Sequence, residues 1–335
     1  MKALFIGGTG TISTAVTRLA LQRGWDMTLL NRGNRPVPEG ARSVVADIAD
    51  ERAVAAALQG ERFDVVADFI VFDVEQARRD IRLFQGMTDQ YFFISSASAY
   101  HKPPRGSVIT ESTPLHNPYW EYSRKKAACE DALMAAYRET GFPVTIVRPS
   151  HTYCERSIPV PIHGDKGGYQ VLARMLAGKP VLVPGDGASL WTLTHSDDFA
   201  KAFVGLMGRR EALGEAYTIT SDEQLTWDQV VEVIARTLGV EARPYHIATD
   251  FLTACAPSYI GPMQGDKSNS VIFDCAKVKR LVPDFICTKP FDLGVKQAWD
   301  YIRTHEDCRV EDPAFDALCD RIIAAHEAGK RAFQK

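Results

Sequence analysis

The first thirteen residues constrain the fold more than any other part of the sequence. Residues 2–6 form a short apolar run with no polar face, as expected for a strand buried on both sides. A glycine-rich turn follows at once, and over residues 14–23 apolar side chains recur at helical spacing until Gly24. A strand, a glycine turn and a helix start together form an anion site, because unpaired N–H groups and the positive end of the helix dipole converge there. We expect a pyrophosphate at this turn.

The turn has the spacing of a dinucleotide-binding fingerprint, with Gly7, Gly10 and, in place of the third glycine, Ser13. The third position needs a small side chain so that the helix packs closely on the strand, and serine is nearly small enough. Glycines also mark ordinary turns, but the position between a strand and a helix favours a nucleotide site. We therefore predict an α/β fold with a doubly wound parallel sheet of the Rossmann type and a smaller, mostly C-terminal substrate domain.

Length and composition exclude several classes of protein. The 335 residues suffice for one large α/β domain and a smaller one. The net charge of −3 gives no basic surplus, so neither a nucleic acid nor an anionic membrane is expected as a partner. The N-terminal apolar run is too short for a signal peptide and no later run reaches membrane-spanning length, so we expect a cytoplasmic protein. Seven cysteines without a C-x-x-C pair fit reduced thiols, and no metal is expected.

The end of the second predicted strand, residues 27–30, is where such a fold selects its cofactor. An acidic residue there would bind the adenosine ribose and repel a 2′-phosphate. The chain has Asn31 and Arg32 instead, and an arginine attracts a 2′-phosphate. The predicted cofactor is NADP, with NAD as the alternative. The competing interpretation is that Arg32 points into solvent from its loop.

Further strands and helices alternate along the chain. The third predicted strand, residues 43–47, ends at Asp47, which either accepts a hydrogen bond from the adenine amino group or caps the next turn. After a fourth strand over 63–70, the helix predicted over 74–84 carries an arginine cluster that we interpret as a solvated face. The clustered residues are Arg78, Arg79 and Arg82.

Hydroxyl groups, Ser96 among them, follow the fifth predicted strand at the edge where parallel sheets bind ligands. Farther on, Tyr122 and Lys126 open a helix and are one helical turn apart, which places both on one face. An ammonium at that position lowers the pKa of the phenol from ~10, so Tyr122 can exchange a proton with a substrate hydroxyl or carbonyl. Ser96 can hold the same oxygen.

These features resemble the extended branch of the short-chain dehydrogenase/reductase superfamily, the NAD(P)-dependent epimerase/dehydratase family. The resemblance covers nearly the whole chain. Besides the glycine loop and the residues around Ser96 and Tyr122, it includes a segment around Arg148 and another around His195. The matching residues are Ser96, Tyr122 and Lys126, then Arg148 and Pro149 with Tyr153, then His195 with Asp198. The resemblance implies an NAD(P)-dependent oxidoreductase or epimerase acting on a sugar-like or polyol secondary alcohol or ketone.

The resemblance also implies a role for each matching position. Ser96, Tyr122 and Lys126 would be catalytic, and Lys126 would also bind the nicotinamide ribose. The predicted cofactor-binding residues are Gly7, Thr9, Gly10, Thr11, Ile12, Asn31, Arg32, Asp47, Ile48, Phe69, Tyr122, Lys126, Pro149 and His151. The predicted substrate-binding residues are Ser98, Tyr153 and Trp191. His195 is expected to be a structural hydrogen-bonding residue rather than a catalyst.

The chain departs from the family at several positions. Ala99-Tyr100-His101 replaces the usual Val-Tyr-Gly, and Cys154 replaces a usual glycine. Trp191 stands where nucleotide-sugar enzymes commonly carry an arginine that grips the substrate diphosphate. A nucleotide-sugar 4-epimerase or dehydratase is therefore the alternative function. Cations that would compensate are Arg174, Lys179, Arg243, Lys267 and Arg280.

A second alternative is a non-catalytic protein, either a dinucleotide sensor or an RNA-binding relative like the chloroplast stem-loop binding proteins. The intact Ser96, Tyr122 and Lys126 argue against a sensor, and the acidic balance argues against RNA.

Proline and glycine are frequent between residues 158 and 182, where we place the start of the substrate domain. The predicted dinucleotide-binding domain covers 1–157 and also 186–221, because later elements should return to its sheet. The predicted substrate domain covers 158–185 and 222–312. A C-terminal helix over 313–335 packs on the body or on a second copy in a homodimer. Residues 244–270 fit a pocket-lining lid and an irregular core segment equally well.

Overall fold

The computed structural model describes residues 1–334. In the first half of the chain, strands alternate with helices: β1 Lys2–Ile6, α1 Thr11–Gln22, β2 Asp26–Asn31, β3 Arg42–Val45, α2 Glu51–Ala57, β4 Val65–Asp68, α3 Val74–Phe84, β5 Tyr91–Ile94, α4 Glu121–Thr140 and β6 Val144–Pro149. The second half has mostly shorter strands: β7 His151–Tyr153, α5 Tyr169–Leu176, β8 Val181–Pro184, β9 Leu190–Trp191, β10 Leu193–His195, α6 Ser196–Leu206, β11 Glu215–Ile219, β12 Leu225–Thr226, α7 Trp227–Leu238, β13 Pro244–Ile247, α8 Thr249–Cys255, α9 Ala276–Leu281, α10 Phe291–Ile302 and α11 Pro313–Ala332.

Seven strands form one parallel sheet in the order β3-β2-β1-β4-β5-β6-β11. The chain moves outward from β1 in one direction to β3 and then in the other direction through β4. The strand order therefore reverses between β1 and β4, and this switch point opens a crevice at the carboxyl ends of the two strands. The predicted doubly wound parallel sheet of the Rossmann type is confirmed.

Both faces of the sheet are covered, which explains why β1 has no polar face. Phe5 joins an apolar cluster with residues of α1 and α6 on one side. Leu4 and Ile6 join a second cluster with residues of α2, α3 and α4 on the other side. A third cluster, around Trp227 of α7, binds α5, α10 and α11 together in the C-terminal part of the chain.

Three two-stranded pairs, β7 with β10, β8 with β13 and β9 with β12, lie outside the main sheet. The proposed domain boundaries stay a prediction. The predicted C-terminal helix is observed as α11, and Lys335, the last residue of the predicted range, lies outside the described residues. Within residues 1–334, no helix has both the length and the apolar character needed to cross a membrane.

Candidate active site

The glycine loop after β1 is held by a serine. Gly7 has a positive φ of 79°, and a Cβ at this position would lie 2.8 Å from Cγ2 of Ile70. The Ser13 hydroxyl donates to the Gly7 carbonyl at 2.9 Å and accepts from the Gly10 N–H at 2.8 Å. Helix α1 begins at Thr11, three residues before the predicted start at Thr14. Ser13 lies in the first turn of this helix. Serine at this position closes the loop onto the helix.

A cleft of about 710 Å³ lies in front of this loop, at the carboxyl ends of β1 and β2. The structure brings most of the predicted cofactor-binding residues of the N-terminal segments together there. These are Gly7, Thr9, Gly10, Asn31, Arg32, Asp47 and Ile48. Thr11 lines an adjoining cavity of about 220 Å³ together with Cys154 and Arg156.

Phe69 and Ile12, also predicted to bind the cofactor, pack into the sheet core instead of lining the cleft. Phe69 packs against Phe5 and Phe203 of the sheet core, with ring centroids 5.3 and 5.7 Å away. Ile12 packs against the same core. Both side chains are partly buried in this apolar cluster.

The polar groups of the cleft fit a dinucleotide. The Asn31 side-chain Nδ2 is buried and has no hydrogen-bond partner within the described chain, while its Oδ1 accepts from the Gly33 N–H at 2.8 Å. Arg35 donates to the Thr9 carbonyl at 2.8 Å, so a second arginine joins the exposed Arg32 at this edge. Asp47 accepts from the Ala49 N–H at 3.0 Å, which is the predicted turn-capping role.

Arg79 corrects the interpretation of the α3 arginine cluster as a solvated face. Its side chain is 7% exposed and lies between two buried carboxylates. Its guanidinium is 3.2 Å from Asp68 and 2.8 Å from Asp80, and it lines the back of the cleft. Arg78 and Arg82 are exposed as predicted. The sequence pattern misleads because Arg79 is buried where α3 packs on the sheet, where Asp68 of β4 joins its helical neighbour Asp80 as a partner.

The three predicted catalytic residues converge beyond the end of β5. Tyr122 and Lys126 share one face of α4, and Ser96 lies at the start of a short 3₁₀ turn, Ala97–Ala99. The Ser96 hydroxyl is 2.8 Å from that of Ser98, which accepts from Ser123 at 2.7 Å. The hydroxyl of Ser96 is thus fixed by a chain of hydroxyls reaching back into α4.

The pKa of Tyr122 is raised, because burial outweighs a hydrogen bond with Ser96 that lowers it. The predicted lowering by Lys126 is wrong for this structure. The Lys126 ammonium donates to the carbonyls of Val71 at 2.6 Å and Ile94 at 2.7 Å, and lies 5.8 Å from the centroid of the tyrosine ring. Burial lowers the pKa of Lys126 to about 8.

A second cavity, of about 300 Å³, opens beside this group, and we call it the substrate cavity. It unites predicted catalytic, cofactor-binding and substrate-binding residues: Ser96, Ser98, Tyr122, Pro149, His151 and Trp191. It also includes Lys267, one of the cations named as possible substitutes for the missing arginine, and residues that were not predicted as site residues: Ala97, Trp120, Ser150, His163, Asp266 and Phe273. Asp266 and Lys267 lie near the end of the segment 244–270, so this part of the segment lines a pocket.

Tyr153 is the one predicted substrate-binding residue that does not line the substrate cavity. Its ring packs edge-on against His195, at 5.3 Å between centroids, and against Phe291 at 5.7 Å. His195 accepts from the Asp197 N–H at 3.2 Å and so caps α6, which confirms its predicted structural role. Within residues 1–334, no group of three or more His, Cys, Asp or Glu side chains is arranged to hold a metal ion.

A doubly wound parallel sheet with a glycine loop opening at its switch point defines a dinucleotide-binding α/β protein. Comparison with known proteins narrows this class. Residues 3–220 match the NAD dependent epimerase/dehydratase family, and the chain belongs to that family. The resemblance derived from the sequence is confirmed, and the chain is an enzyme of an NAD-dependent family of epimerases, dehydratases and reductases.

Individual relatives show the spread of this family. The chain is 26% identical to 2'-dehydrokanamycin reductase of Streptomyces kanamyceticus, over 85% of this chain and 80% of that protein. It is also 26% identical to the chloroplast stem-loop binding protein of 41 kDa b of Arabidopsis thaliana, over 71% and 63% of the two chains. The fold is similar to that of the Thermus thermophilus UDP-glucose 4-epimerase complex with NAD, with a TM-score of 0.71, 20% identity and coverage of 90% and 99%.

Proposed function

We propose that this enzyme is an NAD(P)-dependent oxidoreductase that acts on a sugar-like or polyol secondary alcohol or ketone. The observation that carries the proposal is that Ser96 and Tyr122 line the substrate cavity together, with Lys126 one turn behind Tyr122 on the same face of α4. The dinucleotide cleft opens at the carboxyl ends of the same parallel sheet. Substrate and cofactor therefore have separate compartments, and Pro149 and His151, the residues expected beside the nicotinamide, line the substrate cavity.

Each of the three residues has a distinct task in this proposal. The bound nicotinamide would supply or accept the hydride. Tyr122 transfers a proton to or from the substrate oxygen, and the Ser96 hydroxyl, held by Ser98, binds that same oxygen. Lys126, whose ammonium is held by the carbonyls of Val71 and Ile94, would bind the nicotinamide ribose.

The preferred cofactor in this proposal is NADP. Two arginines, Arg32 and Arg35, border the cleft at the end of β2, and the strand ends in Asn31 rather than an acid. A guanidinium attracts a 2′-phosphate, and the strand end offers no carboxylate to repel it. The unpaired Nδ2 of Asn31 is a donor available to the same part of the ligand.

The site supports the two alternative functions less well than the proposed one. A nucleotide-sugar 4-epimerase or dehydratase fits the family, but Lys267 is the only lysine or arginine of residues 1–334 that lines the substrate cavity, and a diphosphate calls for more cationic donors. A dinucleotide-sensing or RNA-binding protein would not need the Ser96, Tyr122 and Lys126 arrangement. We further infer a cytoplasmic enzyme, in line with seven free cysteines, and a homodimer stays a prediction.

Replacing Tyr122 by phenylalanine tests the proposal. Tyr122→Phe should lose about 10²- to 10⁴-fold in kcat, because the proton-transferring hydroxyl is removed. NADPH should bind with nearly unchanged affinity in calorimetry. Tyr119→Phe, at a partly exposed tyrosine just before α4, is the matched control and should keep wild-type turnover. Near-normal turnover by Tyr122→Phe would refute the assignment.

A further inference from the structure

Lys267 places a buried ammonium at the wall of the substrate cavity. The residue ends a π-helical segment, Ile260–Lys267, and such segments occur frequently at functional sites. Its Nζ donates to the Val160 carbonyl at 3.1 Å and lies 5.8 Å from the centroid of the Trp227 ring. The residue is 8% exposed. The ammonium is therefore fixed in place and has donor capacity left for a ligand.

This ammonium has no carboxylate partner of its own. Within residues 1–334, Lys267 forms no ion pair, and the adjacent Asp266 directs its Oδ1 to Lys102 Nζ at 3.3 Å. Burial lowers the pKa of Lys267 to about 8, so the side chain is still mostly charged at neutral pH. The adjacent Asp266 attracts this charge and raises the pKa, but its carboxylate is paired with Lys102, so a ligand anion in direct contact would lower the cost of burying the ammonium.

His151 adds a neutral donor to the same cavity. The indole N–H of Trp191 donates to Nδ1 of His151 at 3.2 Å, so in the neutral ring the proton must be on Nε2. Burial and the nearby Lys267 charge both hold the pKa of His151 well below its usual range. The same two causes lower the pKa of His163, whose Nδ1 lies 2.9 Å from the Gly164 carbonyl. The cavity thus offers one cation together with one fixed neutral N–H donor.

We propose that the substrate carries a single carboxylate, held by the ammonium of Lys267 and the Nε2–H of His151, as in a sugar acid of monosaccharide size. This inference rests on the proposed function, because it assigns the part of the substrate that lies away from the reacting carbon. One ammonium balances a monoanion, whereas a phosphate dianion beside Asp266 would keep an unbalanced charge. The cavity of about 300 Å³ is at the small end for ligand sites, which suits one sugar ring.

The test compares acids with their neutral and phosphorylated counterparts in the presence of NADP. Glucuronate and galacturonate are measured against glucose, galactose and the two sugar 6-phosphates, by turnover and by calorimetry. The wild-type enzyme should favour at least one uronate over its parent sugar by about 10- to 100-fold in KM or Kd, as expected for one charge-assisted contact.

Variants connect this preference to Lys267. Lys267→Met should raise KM for the uronates far more than for the neutral sugars and so remove the preference. Lys267→Arg should restore part of the preference, and Lys296→Met, at an exposed lysine of α10, should change neither KM value. If Lys267→Met fails to fold, the comparison of uronates with neutral sugars in the wild-type enzyme still tests the proposal. If a neutral sugar or a sugar 6-phosphate is used as well as the uronates or better, the carboxylate proposal is refuted and the proposed function is not. Failure of every compound to bind or react overturns the sugar-like substrate class of the proposed function instead.

Discussion

Restoring the missing glycine of the fingerprint should weaken this protein. Ser13 is 1% exposed and makes two hydrogen bonds within the loop, to the Gly7 carbonyl and from the Gly10 N–H. Each such bond contributes about 1 kcal/mol, so their joint loss costs about 2 kcal/mol. Alanine recovers about 0.5 kcal/mol through better helix propensity, and glycine costs about 0.5 kcal/mol more than serine. We therefore expect Ser13→Ala to lose about 1.5 kcal/mol and Ser13→Gly about 2.5 kcal/mol of stability.

The measurement is urea denaturation followed by tryptophan fluorescence, together with calorimetric titration of NADPH. Both variants should bind NADPH more weakly, because the loop that faces the cofactor is no longer tied to α1. The difference between the two variants isolates the backbone term from the hydrogen bonds. A Ser13→Gly protein as stable as the wild type, with unchanged NADPH affinity, would show that the serine is only a tolerated replacement.

Two further predictions concern the ligands. Arg32→Ala should reduce the preference for NADPH over NADH by about 10-fold, as expected for the loss of one charge-assisted contact. Arg62→Ala, at an exposed arginine outside the cleft, should leave the preference unchanged. Equal calorimetric dissociation constants of the wild-type enzyme for the two cofactors would refute the argument. UDP, UDP-glucose and dTDP-glucose at millimolar concentration should leave the melting temperature unchanged, because the substrate cavity has one lysine and no arginine within residues 1–334. A rise of several degrees would show that a nucleotide sugar binds and would favour the alternative function.

The parallel sheet and the loop could be predicted because their signals are local. A buried strand on both faces reads as a continuous apolar run, and the glycine spacing follows it directly. The shared face of Tyr122 and Lys126 likewise follows from helical periodicity alone. These elements needed no knowledge of what packs against them.

The residues that were missed or misinterpreted depend on contacts between distant segments. Arg79 was interpreted as exposed because its partner Asp68 is on another element. Trp120, His163 and Phe273 line one cavity although they come from three separate stretches of the chain. The pKa of Tyr122 depends on how deeply the phenol is buried, which the four-residue spacing to Lys126 does not reveal.

The C-terminal helix α11 forms ion pairs with two cations that were candidates for substrate binding. Arg174 and Lys179 were named as possible substitutes for the missing diphosphate-binding arginine. Arg174 instead pairs with Asp316 at 2.6 Å and Asp320 at 2.8 Å, and Lys179 pairs with the same two carboxylates of α11. Arg174 is almost fully buried in this contact, so a role in the substrate cavity would require α11 to leave its place. Of the five cations named as substitutes, Lys267 alone lines the substrate cavity within residues 1–334, and a substrate with one negative charge is the one that matches it.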